Sequence, residues 1–124
     1  MFSFKRRKGN AGEEAAAEAL KKLGCKIIER NFNCKSGEID IIARRKDELI
    51  FVEVKLREGA FAKEYGGALG AVTAAKQERI IKTALLYIKQ CRPLYKSLRF
   101  DIITITDGKL EHLQNAFGSD KYIL

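Results

Sequence analysis

Two apolar runs interrupted by acids constrain this chain most: Gly37-Glu38-Ile39-Asp40-Ile41-Ile42 and Phe51-Val52-Glu53-Val54-Lys55. Both are rich in β-branched and aromatic residues, and a charged stretch, Arg45 to Glu48, separates them, so they read as two strands of a hairpin. With a turn centred on Lys46-Asp47, of two or four loop residues, opposed residues have numbers summing to 93. Asp40 then faces Glu53 and Glu38 faces Lys55, and directly opposed Cβ atoms lie about 4.5–5.5 Å apart on one face. The other face reads Ile39, Ile41 and Ala43 against Val54, Val52 and Ile50, all apolar. Ile42, Leu49 and Phe51 complete the acid-bearing face, so the acids are expected at the border of a sheet buried on both sides. A turn of odd length would slip the register by one and break this alignment.

Two carboxylates that close repel each other, and desolvation worsens the conflict. A divalent cation removes it, because hard cations take oxygen ligands. The alternative is that Lys55 and an arginine neutralise the pair as an ordinary ion-pair cluster.

Around the hairpin the chain alternates helices and strands. Residues 1–9 form a basic arm containing Lys5-Arg6-Arg7-Lys8. Asn10 as a cap, with Glu13 three residues later, marks a helix start, and Gly24 marks its end. Ala16, Ala17 and Leu20 follow Glu13 at helical spacing, so Glu13 lies on the packed face. It either completes the capping box or reaches the hairpin acids. Cys25 to Phe32 reads as a strand. Residues 57–71 form a glycine-rich loop of a length that often serves binding. A long helix over Val72 to Arg92 carries Ile81, Leu85 and Ile88 on one face and stops before Pro93. Arg99 to Thr106 and Lys109 to Leu113 are strands joined by the hairpin turn Asp107-Gly108. Helix, three strands, helix, two strands is the order of an α/β sandwich with a mixed sheet, and no internal linker divides the 124 residues.

The 24 Lys and Arg against 16 Asp and Glu give a formal charge of +8, suited to a polyanionic partner, with nucleic acid first and an anionic membrane surface second. Cys25, Cys34 and Cys91 cannot all pair within the chain, form no C-x-x-C and have only His112 as a histidine, which speaks against a zinc site or a disulfide framework. They read as packing residues, and His112 as a strand-surface residue. The basic N-terminus lacks the apolar run of a signal peptide, and every apolar stretch is shorter than the roughly 20 residues of a membrane span. The expectation is a cytoplasmic protein with no membrane partner.

Gly9-x-x-x-Glu13, Gly37-Glu38-Ile39-Asp40, Phe51-Val52-Glu53-Val54-Lys55 and Arg57, with Lys76, Arg99-Phe100-Asp101 and Asn115-Ala116-Phe117, together resemble the YraN-like family over nearly the whole chain. That family is similar to the PD-(D/E)xK nucleases and, in outline, to archaeal Holliday-junction resolvases. The resemblance implies a restriction-endonuclease-like αβββαβ core with a mixed sheet flanked by helices. It matches Asp40, Glu53 and Lys55 to the D…E-x-K triad and Glu13 to the helix acid, although Ile39 stands where the superfamily's proline would precede Asp40. It implies Mg²⁺ or Mn²⁺ held by Asp40, Glu53 and the Val54 carbonyl, and cleavage of DNA, branched or single-stranded, in repair or recombination.

Nucleic-acid contacts are expected from Lys76 at the head of the second helix, Arg79 and Lys82 along it, Arg57, and the turn arginines Arg44 and Arg45. The bland alternative makes Lys76 a solvated helix-start lysine. The rival functions are a nucleic-acid-binding module that does not cleave and a protein-interaction subunit with a vestigial site. Oligomeric state is left open, a dimer included.

Overall fold

The computed structural model describes residues 4–57 and 70–118, with the backbone course alone for residues 4–10. In chain order the elements are α1 (Phe4–Lys22), β1 (Lys26–Cys34), β2 (Gly37–Arg45), β3 (Glu48–Arg57), α2 (Ala74–Cys91), β4 (Ser97–Thr106) and β5 (Lys109–Phe117). The strands form one sheet in the order β1-β2-β3-β4-β5. Every neighbouring pair is antiparallel except β3 and β4, which run parallel. Parallel strands need a crossover, and the segment containing α2 provides it.

Each helix covers one face of the sheet. Ala16, Ala17 and Leu20 of α1 are fully buried against Ile41, Ala43, Ile50, Val52, Ile103 and Ile105. Ile80, Ile81, Ala84 and Tyr87 of α2 pack on Phe32, Ile42, Leu49, Phe51, Phe100 and Ile102. The central hairpin is thus buried on both sides, and its register runs from Ile41↔Val52 to Arg45↔Glu48, each pair summing to 93. Lys46 makes the two-residue turn possible by taking a left-handed φ of 55°. α1 stops where Gly24 enters the left-handed region at φ 88°, closing the last turn with its own N–H on the Lys21 carbonyl, at 3.0 Å. α2 starts at Thr73, whose hydroxyl accepts from the Lys76 N–H at 3.2 Å.

Several expectations change. The helical backbone of α1 begins at Phe4, so Asn10 lies inside it rather than capping it, and Lys5 to Lys8 belong to a helix rather than an arm. Two internal glycines, Gly9 and Gly12, do not break a helix that later packs well. Ile39 packs in the α2-side cluster, apart from Ile41 and Ala43. Of the cysteines, Cys25 is buried, Cys34 half-buried and Cys91 exposed, so Cys91 is not a packing residue. Most of the glycine-rich loop, residues 58–69, lies outside the described residues. Among the described residues no helix is long and apolar enough to cross a membrane.

The strand β5 runs on to Phe117, and His112 is a half-buried member of a charged network rather than a surface residue. Asp101 has no exposed surface. Its carboxylate accepts from Arg99 Nε and Nη2 at 2.9 and 3.0 Å, meets His112 Nε2 at 2.7 Å and accepts the Asn115 N–H at 2.9 Å. Arg99 also donates to Glu48 on β3 at 2.9 Å. Asn115 can point its N–H there because it sits at φ 50°, beside a register shift opposite Phe100 and Ile102.

Burial works against a charged Asp101, but the bonds from His112, Arg99 and the Asn115 N–H outweigh it and hold its carboxyl below the ordinary range. A depressed folded-state pKa contributes stability above the unfolded value and loses it as pH falls. Asp101→Ala should therefore cost about 3–5 kcal/mol at pH 7, because Arg99 stays buried after losing its two-point partner, with Glu48 left to it. The difference from the parent should begin to shrink below about pH 4, where the unfolded carboxyl takes up its proton, and go on shrinking as pH falls through the lower folded value. Urea denaturation of both proteins at pH 7 and at low pH checks this, and a gap that does not narrow would remove charge as the cause.

Candidate active site

The hairpin opens at its acid end. Ladder pairing of β2 with β3 stops at Ile41↔Val52, whereas β3 stays paired with β4 as far as Arg57↔Thr106. Beyond the stop, the Val54 N–H is taken by Oδ2 of Asp40 at 2.7 Å. On the other side of β2, the pairs Arg30↔Ile41 and Phe32↔Ile39 bracket Asn31, which is left-handed at φ 54°. The regular in–out alternation fails at Asp40, opposite this residue, and Ile39 accordingly joins the α2-side cluster.

The opening is a cleft of about 350 Å³. Asp40, Glu53, Val54 and Lys55 line it from the hairpin, with Gly37 and Glu38 at the start of β2 and Lys76, Arg79 and Ile80 on α2. The cleft thus brings Asp40, Glu53 and Lys55 together with Glu38, although the expected pairs Asp40–Glu53 and Glu38–Lys55 lie beyond the end of the β2–β3 ladder. Asp40 and Glu53 are buried, Lys55 half-buried and Glu38 exposed. Val54 and Leu56 of β3 and Ile105 of β4 come close beneath Gly12, so α1 carries Glu13 over this same end of the sheet. Glu13 is buried and lies within α1, which rules out the capping-box role at Asn10.

The site is electrostatically frustrated. Burial pushes Asp40 up to about 9, helped by a hydrogen bond and repulsion from Glu53 and by the charge of Glu13, against the Val54 N–H. Asp40 therefore keeps its proton at neutral pH in the absence of a cation. Burial and the neighbouring Lys76 lower the Lys55 ammonium. Burial acts against Lys76 too, but its bond to Glu53 outweighs it and raises the ammonium. Nζ of Lys76 lies 2.8 Å from Oε2 of Glu53. Among the described residues that buried oxygen nonetheless has no aligned hydrogen-bond donor, so the contact is one of charge.

Lys76 is not a solvated helix-start residue: it is half-buried, and it supplies the cation that Lys55 or an arginine was expected to supply. The pairing was invisible in sequence, because it depends on where α2 crosses the sheet. Among the described residues no three His, Cys, Asp or Glu side chains gather as a metal-ligand set, so the site offers two carboxylates, with Glu13 acting on Asp40 through its charge.

The expected basic contacts divide by position. Arg79 lines the cleft. Lys82 is exposed on α2, 3.5 Å from Glu78. Arg57 ends β3, its carbonyl accepting the Asp107 N–H at 3.2 Å. Arg44 and Arg45 are not part of the cleft. They flank the Lys46-Asp47 turn at the opposite end of the hairpin, and Arg44 Nη1 donates to the Leu94 carbonyl at 2.5 Å.

A family model described as "Uncharacterised protein family UPF0102" matches residues 12–105, a span that includes every residue of the cleft. The chain belongs to the UPF0102 family. It is 46% identical to the UPF0102 protein of Symbiobacterium thermophilum over 117 residues, which cover 90% of this chain and 97% of that one. The UPF0102 protein of Sulfurihydrogenibium sp. is 37% identical over 114 residues, covering 92% and 96%. That of Geobacter sulfurreducens is 44% identical over 114 residues, covering 88% and 87%. UPF0102, the YraN family, lies in the restriction-endonuclease-like superfamily, consistent with the mixed sheet between two helices.

The raised pKa of Asp40 has a sign that stability measurements can read. Between about pH 4 and 9 the unfolded chain ionises Asp40 while the folded one does not, so its contribution is lost as pH rises through that window. Asp40→Asn cannot ionise, yet its amide oxygen can still accept from Val54. In chelator it should match or exceed the parent at pH 8, by on the order of 1–3 kcal/mol, and the margin should narrow at pH 5. Melting curves at the two pH values test this, and a mutant weaker at both would make Asp40 an ordinary ion-pair member.

Proposed function

We propose that this UPF0102 chain is an endonuclease dependent on Mg²⁺ or Mn²⁺ that cuts DNA phosphodiester bonds in branched or single-stranded regions, as in repair or recombination. What carries this is the meeting of Asp40, Glu53 and Lys55 in one cleft where β2 and β3 part. A buried Glu53 oxygen without an aligned donor, beside a second buried carboxylate, is a donor set suited to a hard cation. Asp40, Glu53 and the Val54 carbonyl would hold the cation, and when bound it supplies Lewis acidity toward a phosphate and a more acidic water.

The chain's own groups have separable tasks. The Val54 N–H fixes the Asp40 carboxyl in place. Lys55, half-buried beside the acids, is suited to hold a water or to balance negative charge building on the phosphate. Glu13 acts on Asp40 through its charge, which favours the protonated carboxyl until a cation offsets it. Arg79 faces the same cleft and suits a flanking phosphate, with Lys82 further along α2. A sheet edge and one helix leave little surface for reading a long sequence, which favours recognition of DNA structure. Free thiols at Cys25, Cys34 and Cys91 suit the reducing cytoplasm.

The test is to incubate the purified protein with single-stranded, duplex, flap and junction DNAs, with Mg²⁺ or Mn²⁺ and with chelator. Cleavage should require the cation. Asp40→Asn, Glu53→Gln and Lys55→Ala should each reduce the rate by about a hundredfold or more while leaving the fold intact. A variant that cuts at the parental rate would strip that residue of its role. Cation-dependent DNA binding without cleavage would instead establish the binding-module alternative.

A further inference from the structure

Lys76 stands in an unusual place for a phosphate-binding lysine. Its Nζ is 2.8 Å from Oε2 of Glu53, an oxygen of a side chain that is 5% exposed. The geometry is not that of a committed salt bridge, since the oxygen lacks an aligned donor. Lys76 itself is 33% exposed and sits in the first turn of α2, whose cap holds the backbone while the side chain stays long and jointed. It also interacts with Lys55, so two ammonium groups crowd one pair of carboxyls. Such an arrangement is poor as permanent architecture, because the ammonium is one-third exposed and charge without hydrogen-bond alignment holds it at Glu53. It is well suited to a cation that leaves.

We propose that Lys76 is the resident counter-cation of the Asp40–Glu53 pair, occupying the Glu53 oxygen until a divalent cation displaces it. This inference rests on the metal-site reading above and adds that the chain's own ammonium competes with the metal for Glu53. Removing Lys76 then leaves a metal site with no internal competitor. The freed ammonium stays at the cleft beside Lys55, where a phosphate can take it.

The test measures Mn²⁺ binding by calorimetry and by Mn²⁺-dependent thermal shift, without DNA, on the parent and on Lys76→Met. Lys76→Met should bind Mn²⁺ about tenfold more tightly, the effect of one opposed charge lost from a partly buried site. Lys76→Arg, which keeps the charge, should bind close to the parental affinity. Lys21→Met removes an equal charge from the exposed surface of α1, 3.5 Å from Glu18, and should change Mn²⁺ affinity less than twofold. If Lys76→Met folds poorly, Lys76→Gln keeps a donor for Glu53 without the charge and should also bind more tightly. A parent that binds Mn²⁺ while Lys76→Met and Lys76→Gln bind no better overturns the counter-cation role and leaves the metal site standing. Absence of Mn²⁺ binding in parent and variants alike overturns the metal site and this inference with it.

Discussion

One hydrogen bond organises the functional end of this molecule: the Val54 N–H donated to the Asp40 carboxyl at 2.7 Å. In an unbroken sheet that N–H would belong to the ladder. Given instead to a side chain, it ends the pairing of β2 with β3 while β3 continues along β4. The gap opens one end of a hairpin whose middle is buried on both faces, and the apolar clusters under α1 and α2 hold that gap in place from both sides. Without the two-sided burial the strands would have room to slide. Without the gap, Asp40 and Glu53 would face packed side chains rather than a cleft.

The cost of this design falls on the acids. Asp40 is held neutral by its surroundings, and Glu53 meets a lysine that shares the cleft with a second one, Lys55. Functional sites commonly keep such unresolved charge, trading stability for chemistry. The Arg99–Asp101–His112 network shows the opposite use of buried charge. There each carboxylate oxygen has donors, and the cluster fastens β5 and Glu48 of β3 to β4. The sheet thus carries an unsatisfied acid pair at one place and a satisfied one at another.

Much of this was legible before any coordinates. The hairpin register followed from a short turn and the need to keep apolar residues paired, and the buried face of α1 followed from three- and four-residue spacing behind Glu13. What escaped depends on geometry between distant segments. Lys76 meets Glu53 only because α2 crosses the sheet where it does. His112 and the last residues of β5 were obscured by the irregularity at Asn115, which disrupts the two-residue alternation that marks a strand. Arg44 and Arg45 were grouped with the site because a run of charge in sequence does not say at which end of a strand it lies. Asn10 had the chemistry of a cap, yet the preceding residues were free to continue the helix.

Aromatic rings cross the α2-side face almost from edge to edge. Phe117 stacks on Phe100 with centroids 5.3 Å apart, Phe100 on Phe51 at 5.5 Å, and Tyr87 meets both Phe51 and Phe32 edge-on at 6.0 and 5.2 Å. Such pairs contribute about 0.5–1.5 kcal/mol each beyond their burial. The rank links β5, β4, β3, α2 and β1, so the two edge strands are tied into the same packing. The 12–105 span that the family model matches stops short of β5. A fragment trimmed to that span would uncover Phe100 and take His112 and Asn115 away from Asp101, so the working boundary of the unit lies past Phe117.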